Sequence, residues 1–279
     1  MNEVDACRAV LIEVLTILAK DLDKLAVVGG WVPELAFPNK GHIGSLDVDL
    51  ALDARKLEPK TYESIRKKLA DAGYQQSPYM SNRFFRDIPD TPIQVKVDLI
   101  TGEFPEVATD GTHHRIQELA VWKARGVDLA FTFQQDVAVE GTLPNGGHNK
   151  VTAKMPIIAA YLCIKAITLS ERKKEKDAYD IYFCIENYHG GYKMLAEEFR
   201  GKTSDKLIAE GIGILREKFE RLDSIGPVWA AQTAEEATVG TGFDLEMEQR
   251  EPTKSSMHCC ERSTTWLGSK SPRLYLMAI

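Results

Sequence analysis

The stretch "VVGGWVPELAFPNKGHIGSLDVDLALD", Val27–Asp53, carries two features with chemical use. Asp47 and Asp49 stand one residue apart in an otherwise apolar run that reads as a strand, although aspartate is depleted in strands. Ahead of them, Gly29 and Gly30 follow a short apolar segment. A third acid, Asp98, lies in "IQVKVDLI", Ile93–Ile100, a second alternating stretch. Side chains on a strand alternate between its two faces. Asp47 and Asp49 therefore share one face, and Leu46, Val48, Leu50 and Leu52 share the other. By the same count Gln94, Lys96 and Asp98 oppose Ile93, Val95, Val97 and Leu99.

If the two strands are neighbours, three carboxylates meet on one side of a sheet. Like charges a few Å apart do not all ionise comfortably. A divalent cation removes the conflict: Mg²⁺ takes oxygen ligands, typically one or two carboxylates plus substrate phosphates. Two such ions can clamp the attacking and leaving oxygens of a phosphoryl displacement. The glycine turn suits the same chemistry, because it lets backbone N–H groups and a helix N-terminus approach a phosphate.

The elements that must position these residues follow from periodicity. Val4, Cys7, Val10, Leu11, Val14 and Leu18 keep helical spacing, so the chain opens on an amphipathic helix. "LAVV", Leu25–Val28, reads as a buried strand. "WVPELAF" reads as a helix with Pro33 in its first turn, "NKGHIG" as loop and "LDVDLAL" as a strand. Tyr62, Ile65, Leu69 and Ala72 mark a second amphipathic helix over 59–72, stopped by Gly73. "RFFRDI" and "IQVKVDLI" flank the turn signal "PDTP" and predict a hairpin. Short strands with Gly, Pro and Asn turns are expected over 104–150. From Pro156 the pattern is helical to about Leu222, with a polar break near Ser170–Lys174. The expected organisation is an α/β (α+β) mixed-sheet core over 1–150, a helical domain over 151–225, and an irregular tail over 226–279, where no sustained period is found.

Composition narrows the class. The chain has 279 residues, enough for one large or two smaller domains, and a net charge of −6 that argues against a protein that coats nucleic acid. No apolar run is long enough for a membrane span. The first residues carry acids rather than a basic segment, so no signal peptide is expected. Five cysteines without metal-like spacing fit a reducing cytoplasm.

The helical half holds a second set of candidates in "IKAITLSERKKEKDAYDIYFCI", Ile164–Ile185. Lys165 interrupts an apolar helix. It either reaches the surface along its own stem, pairs with an acid, or meets a phosphate. Asp177 and Asp180 are three apart and share a helix face, where they order Arg172, Lys173 or Lys176, or position a nucleotide. "ERKKEK" is the one dense basic cluster, a solvated loop or a contact for RNA phosphates. Trp31 and Tyr179 read as core, and His113 and His114 carry no assigned role.

Taken in this order, "GG-W" after a strand, "SLDVDL", "VKVDLI" and then "KDAYD" resemble the nucleotidyltransferase superfamily of the DNA polymerase β type. Within it they resemble the AbiEii/AbiGii toxin-like enzymes of type IV toxin–antitoxin systems. The resemblance covers roughly residues 20–190. It implies a mixed-sheet nucleotidyltransferase core followed by a helical domain. It further implies a two-metal Mg²⁺ site with Asp47, Asp49 and Asp98 as metal-binding and catalytic residues. Gly29 and Gly30 (where the family often has Gly-Ser), Lys165, Asp177 and Asp180 would bind the NTP, ATP among the candidates. The activity implied is transfer of an NMP group to an acceptor hydroxyl, the acceptor being RNA such as tRNA, with a cognate antitoxin encoded nearby. The same acids would serve an enzyme that modifies a protein with an NTP. A non-catalytic, antitoxin-like binding protein of the same fold is the alternative outside enzymes.

Overall fold

The structure, a computed structural model, describes residues 1–56, 59–104, 109–110, 112–116 and 119–239. Its chain divides into two units. The first comprises Met1–Asn39 and Gly44–Tyr161, and the second Lys40–Ile43 and the chain from Leu162 onward.

The first unit opens with α1 (Glu3–Ile17), started by Asn2, whose side chain accepts the Asp5 backbone N–H. Such a cap satisfies one of the amides left without a partner at a helix start. Val10, Leu11, Ile12, Val14 and Leu15 of this helix are buried, and α1 lies against the sheet that follows. That sheet contains β1 (Leu25–Val28), β2 (Asp47–Leu52), β3 (Gln75–Gln76), β4 (Arg83–Asp87), β5 (Gln94–Thr101), β6 (Thr109–Asp110), β7 (His113–Ile116) and β8 (Leu119–Lys123). Its main order is β1-β2-β5-β8-β7-β6, with β3 and β4 branching from β5. β5 is the hub. It runs parallel to β2 along one edge, and its other edge is shared between antiparallel β4 at Gln94–Asp98 and parallel β8 at Ile100–Thr101.

Alternation decides which face of the hub is buried. Val48, Leu50, Val97 and Leu99 are fully enclosed, and burying each such side chain contributes about 1.5–3 kcal/mol. The intervening polar residues are left on the opposite face. α2 (Trp31–Ala36) follows β1, and α3 (Pro59–Asp71) follows β2. α4 (Leu129–Thr132) leads into a separate two-stranded sheet of β9 (Gln134–Thr142) and β10 (His148–Pro156), paired along their full length. That pairing carries the first unit beyond residue 150, the expected end of the core, to Tyr161.

The second unit is helical. α5 (Ile158–Glu171) carries the chain into it, and Arg172–Lys174 break the helix before α6 (Glu175–Asn187) begins. α7 (Gly191–Phe199), α8 (Lys206–Lys218) and α9 (Ile225–Val239) follow. α9 corrects an expectation. Residues 226–239 form a helix packed on α6, with Trp229, Ala230, Ala231 and Ala234 buried. Pro227 sits in its first turn, where the missing N–H costs nothing. Alanine, the best helix former, dominates the rest and gives too little hydrophobic contrast for a visible period. The remainder of the expected tail, 240–279, lies outside the described residues.

The architecture is therefore mixed α/β, with a mixed parallel and antiparallel sheet followed by a helical C-terminal region. Among the described residues no helix is long and apolar enough to cross a membrane.

Candidate functional site

Asp47, Asp49 and Asp98 occupy one face of two adjacent strands. In the parallel register of β2 and β5, Asp47 lies opposite Lys96 and Asp49 opposite Asp98. On the far edge of β5, antiparallel β4 places Arg83 opposite Asp98. One row across three strands thus reads Asp49, Asp98, Arg83. The arrangement is built locally. Trp31 of α2 donates its indole N–H to the Asp47 backbone carbonyl at 3.0 Å, pinning the start of β2. Ser45, two residues upstream, donates its hydroxyl to Asp47 Oδ1 at 2.8 Å.

Gly29 has a specific reason to be glycine. Its φ of +69° is a left-handed conformation that side chains disfavour, and a Cβ there would stand 2.0 Å from Asp49 Oδ2. The Asp49 carboxylate thus fills the space a side chain would need. The turn is fixed from behind by the Tyr161 hydroxyl, which donates to the Gly29 carbonyl at 3.0 Å. Gly30 is ordinary in comparison: its φ of −73° and ψ of −6° suit any residue.

Like charges directly opposite each other on neighbouring strands are destabilising, and two cations offset them here. Arg83 grips Asp98 with two parallel bonds, Nε to Oδ1 at 2.8 Å and Nη2 to Oδ2 at 2.9 Å. Lys96 Nζ stands 3.2 Å from Asp47 Oδ2 and 3.8 Å from Asp98 Oδ2. Among the described residues no three carboxylate, imidazole or thiolate groups are gathered closely enough to hold a metal ion by themselves. The donor set still fits Mg²⁺, which is commonly held by one or two carboxylates with phosphate and water completing the shell. Asp47 and Asp49 would supply those two. Asp98 also retains capacity, since a carboxylate offers about four lone-pair sites and Arg83 takes two of them.

The second unit holds the other candidates in a cluster of its own. Lys165 is buried, with Nζ 2.6 Å from Asp177 Oδ1 and 2.8 Å from Asp180 Oδ2. Its ammonium is thus shared between the two acids of α6. Asp177 also pairs with Arg172 at 3.3 Å, and Asp180 with Lys176 at 3.1 Å. His42, which belongs to the second unit, adds its Nε2 to Asp180 Oδ1 at 3.0 Å and packs its ring edge-on against Phe183. Burial works against the charge on Lys165, but Asp177 and Asp180 outweigh it and hold the ammonium above the ordinary lysine range. Burial likewise opposes the charge on Asp180. Lys165, Lys176 and His42 together win and push its carboxyl far below the usual carboxylate range. For His42 burial prevails over Asp180 and lowers the imidazole below its ordinary value, favouring the neutral ring.

No protein-family model matches the chain, and no curated protein sequence matches it.

The structure gathers the sequence candidates within each unit: Gly29, Asp47, Asp49 and Asp98 in the first, Lys165, Asp177 and Asp180 in the second. Trp31 and Tyr179 are core, as read. His114 is buried and bonded to the Gly102 and Glu103 carbonyls, and His113 packs edge-on against Trp122. Three participants were not singled out by sequence. Lys96 was legible, since alternation already puts it on Asp98's face. Arg83 depends on the register of β4. His42 sits in an aperiodic loop, and no local signal ties it to Asp180.

Proposed function

We propose that the protein is a Mg²⁺-dependent nucleotidyltransferase that moves an NMP group from an NTP, ATP among the candidates, to an acceptor hydroxyl. The observation that carries this reading is the parallel register of β2 and β5, which aligns Asp49 with Asp98 and sets Asp47 on the same face. Asp47 and Asp49 would hold Mg²⁺, and the ion when bound would neutralise charge on the transferring phosphate. Gly29, which makes room for the Asp49 carboxylate, and Gly30 would offer backbone N–H groups to the triphosphate. Asp98, held by Arg83, contributes a further carboxylate to the same face. Positioning and charge neutralisation supply most of the rate in this chemistry.

Within this reading the second unit's cluster takes a divided role. Lys165 holds Asp177 and Asp180 together, and in this reading it organises α5 and α6. Arg172, 56% exposed, is the cation of that cluster open to solvent and is our candidate for RNA phosphates. The acceptor we favour is RNA, tRNA among the candidates, which fits a toxin-like enzyme with a cognate antitoxin as partner. We place the protein in the cytoplasm, a reducing setting in which buried thiols such as Cys7, Cys163 and Cys184 persist.

The test is transfer of label from α-labelled NTPs into total RNA in Mg²⁺. Label should enter RNA with wild type, and Asp47→Asn and Asp49→Asn should each lower transfer on the order of a hundredfold or more. Label entering protein instead would identify the acceptor as a polypeptide. Full transfer by the double variant would remove Asp47 and Asp49 from the site.

A further inference from the structure

Lys96 touches acids of both strands, Asp47 of β2 and Asp98 of its own β5. It lies directly opposite Asp47 in the β2–β5 register, and its ammonium stands within 4 Å of both Asp47 and Asp98. Another cation on this surface, Arg83, is bound by both oxygens of Asp98. A planar guanidinium in a bidentate pair is fixed in place. A lysine ammonium is a point charge on a flexible stem. Lys96 is a quarter exposed, so its stem has room to move. Arg83 is therefore fixed, and Lys96 can leave.

We propose that Lys96 is an internal counter-ion that sets the metal affinity of this site. In the protein alone it neutralises Asp47. It gives Asp47 up when nucleotide phosphates offer its ammonium a better anion, so metal and nucleotide bind with positive coupling. This rests on the reading of Asp47 and Asp49 as Mg²⁺ ligands. The consequence is that Lys96 keeps divalent ions off the acids until substrate is present, and then turns to the triphosphate. It acts on the metal through Asp47 and on the nucleotide directly.

The test is titration of the full chain with Mn²⁺, followed by electron paramagnetic resonance, first without nucleotide and then with a non-hydrolysable NTP. The variants are Lys96→Met, which keeps the stem and removes the charge, and Lys96→Arg, which keeps the charge. Without nucleotide, Lys96→Met should bind Mn²⁺ at least about tenfold more tightly than wild type, since a positive charge a few Å from the ion is gone. Lys96→Arg should stay near wild type. Added nucleotide should tighten Mn²⁺ binding in wild type and much less in Lys96→Met. Unchanged or weaker Mn²⁺ binding by folded Lys96→Met, while wild type binds Mn²⁺ in an Asp49-dependent way, overturns the counter-ion role and leaves the metal site standing. Absence of Mn²⁺ binding by both proteins, with or without nucleotide, overturns the metal site and the counter-ion role together. Lys96→Arg behaving like Lys96→Met also overturns the proposal, because the charge would then not be the cause.

Discussion

At the scale of single residues, Lys165 shows how a buried charge is held by its partners. Its ammonium lies between two buried carboxylates. Replacing it with methionine keeps the bulk and leaves Asp177 and Asp180 facing each other without their shared cation. Breaking a buried pair by removing one partner costs about 3–5 kcal/mol, so Lys165→Met should lower the melting temperature clearly. An unchanged melting temperature would show that the network contributes nothing net. The same cluster predicts a pH profile. His42 is held neutral by burial, so its contribution is complete above the unfolded value of about 6.5 and is lost as pH falls below it. Lys165 has the opposite sign: its contribution is complete below about 10.4 and is lost as pH rises through its raised folded value. Asp180, depressed in the fold, contributes above about 3.9 and fails only at lower pH. Denaturation midpoints should therefore decline from about pH 6.5 toward 5, and His42→Gln should flatten that segment. Gly29→Ala combines a left-handed φ with a clash against Asp49. It should cost about 1–3 kcal/mol in chemical denaturation, with part recovered when Asp49 is also made alanine. Of these residues the acids and Lys165 were legible as breaks in apolar patterns. Lys165's partners were legible as possibilities, but that it pairs with both acids at once needed the structure. His42 was not legible, because its partner lies 138 positions away and no periodicity links a loop residue to a helix.

At the scale of elements, α9 is where pattern reading failed and packing explains why. An alanine-rich helix buries small side chains and leaves little polar contrast, so its inner face does not announce itself. Its contact with α6 is nevertheless extensive. Ending the chain before Ile225 should uncover the α9-facing side of α6 and remove cooperative unfolding of the helical region. Trp229→Ala should cost about 3–5 kcal/mol. A truncated protein that unfolds cooperatively at the wild-type midpoint would show that α9 is dispensable. The elements with strong periodicity fared differently. α1, β1, β2, α3 and the β4–β5 hairpin fall close to where alternation and helical spacing predict them. In β2 and β5 the same alternation assigns the acids to one face. It does not fix which strands are neighbours. The parallel pairing of β2 with β5 is a long-range choice, made by the burial of Val48, Leu50, Val97 and Leu99 against α1's side of the sheet rather than by any local residue.

At the scale of the molecule, the proposed activity requires the acid face of β2 and β5 to be a magnesium–nucleotide site. Asparagine at 47 and 49 keeps shape and removes charge. The pair Asp47–Lys96 is partly exposed, so its loss should change stability by no more than about 1 kcal/mol. Stability and binding can therefore be separated in one protein. The most direct measurement is calorimetric titration of each of the four NTPs into wild type and into Asp47→Asn/Asp49→Asn, with Mg²⁺ and then with chelator. At least one NTP should bind wild type in Mg²⁺, lose binding when the metal is removed, and fail to bind the double variant at an unchanged melting temperature. Equal binding by both proteins, or no binding by wild type to any NTP in Mg²⁺, would contradict the claim.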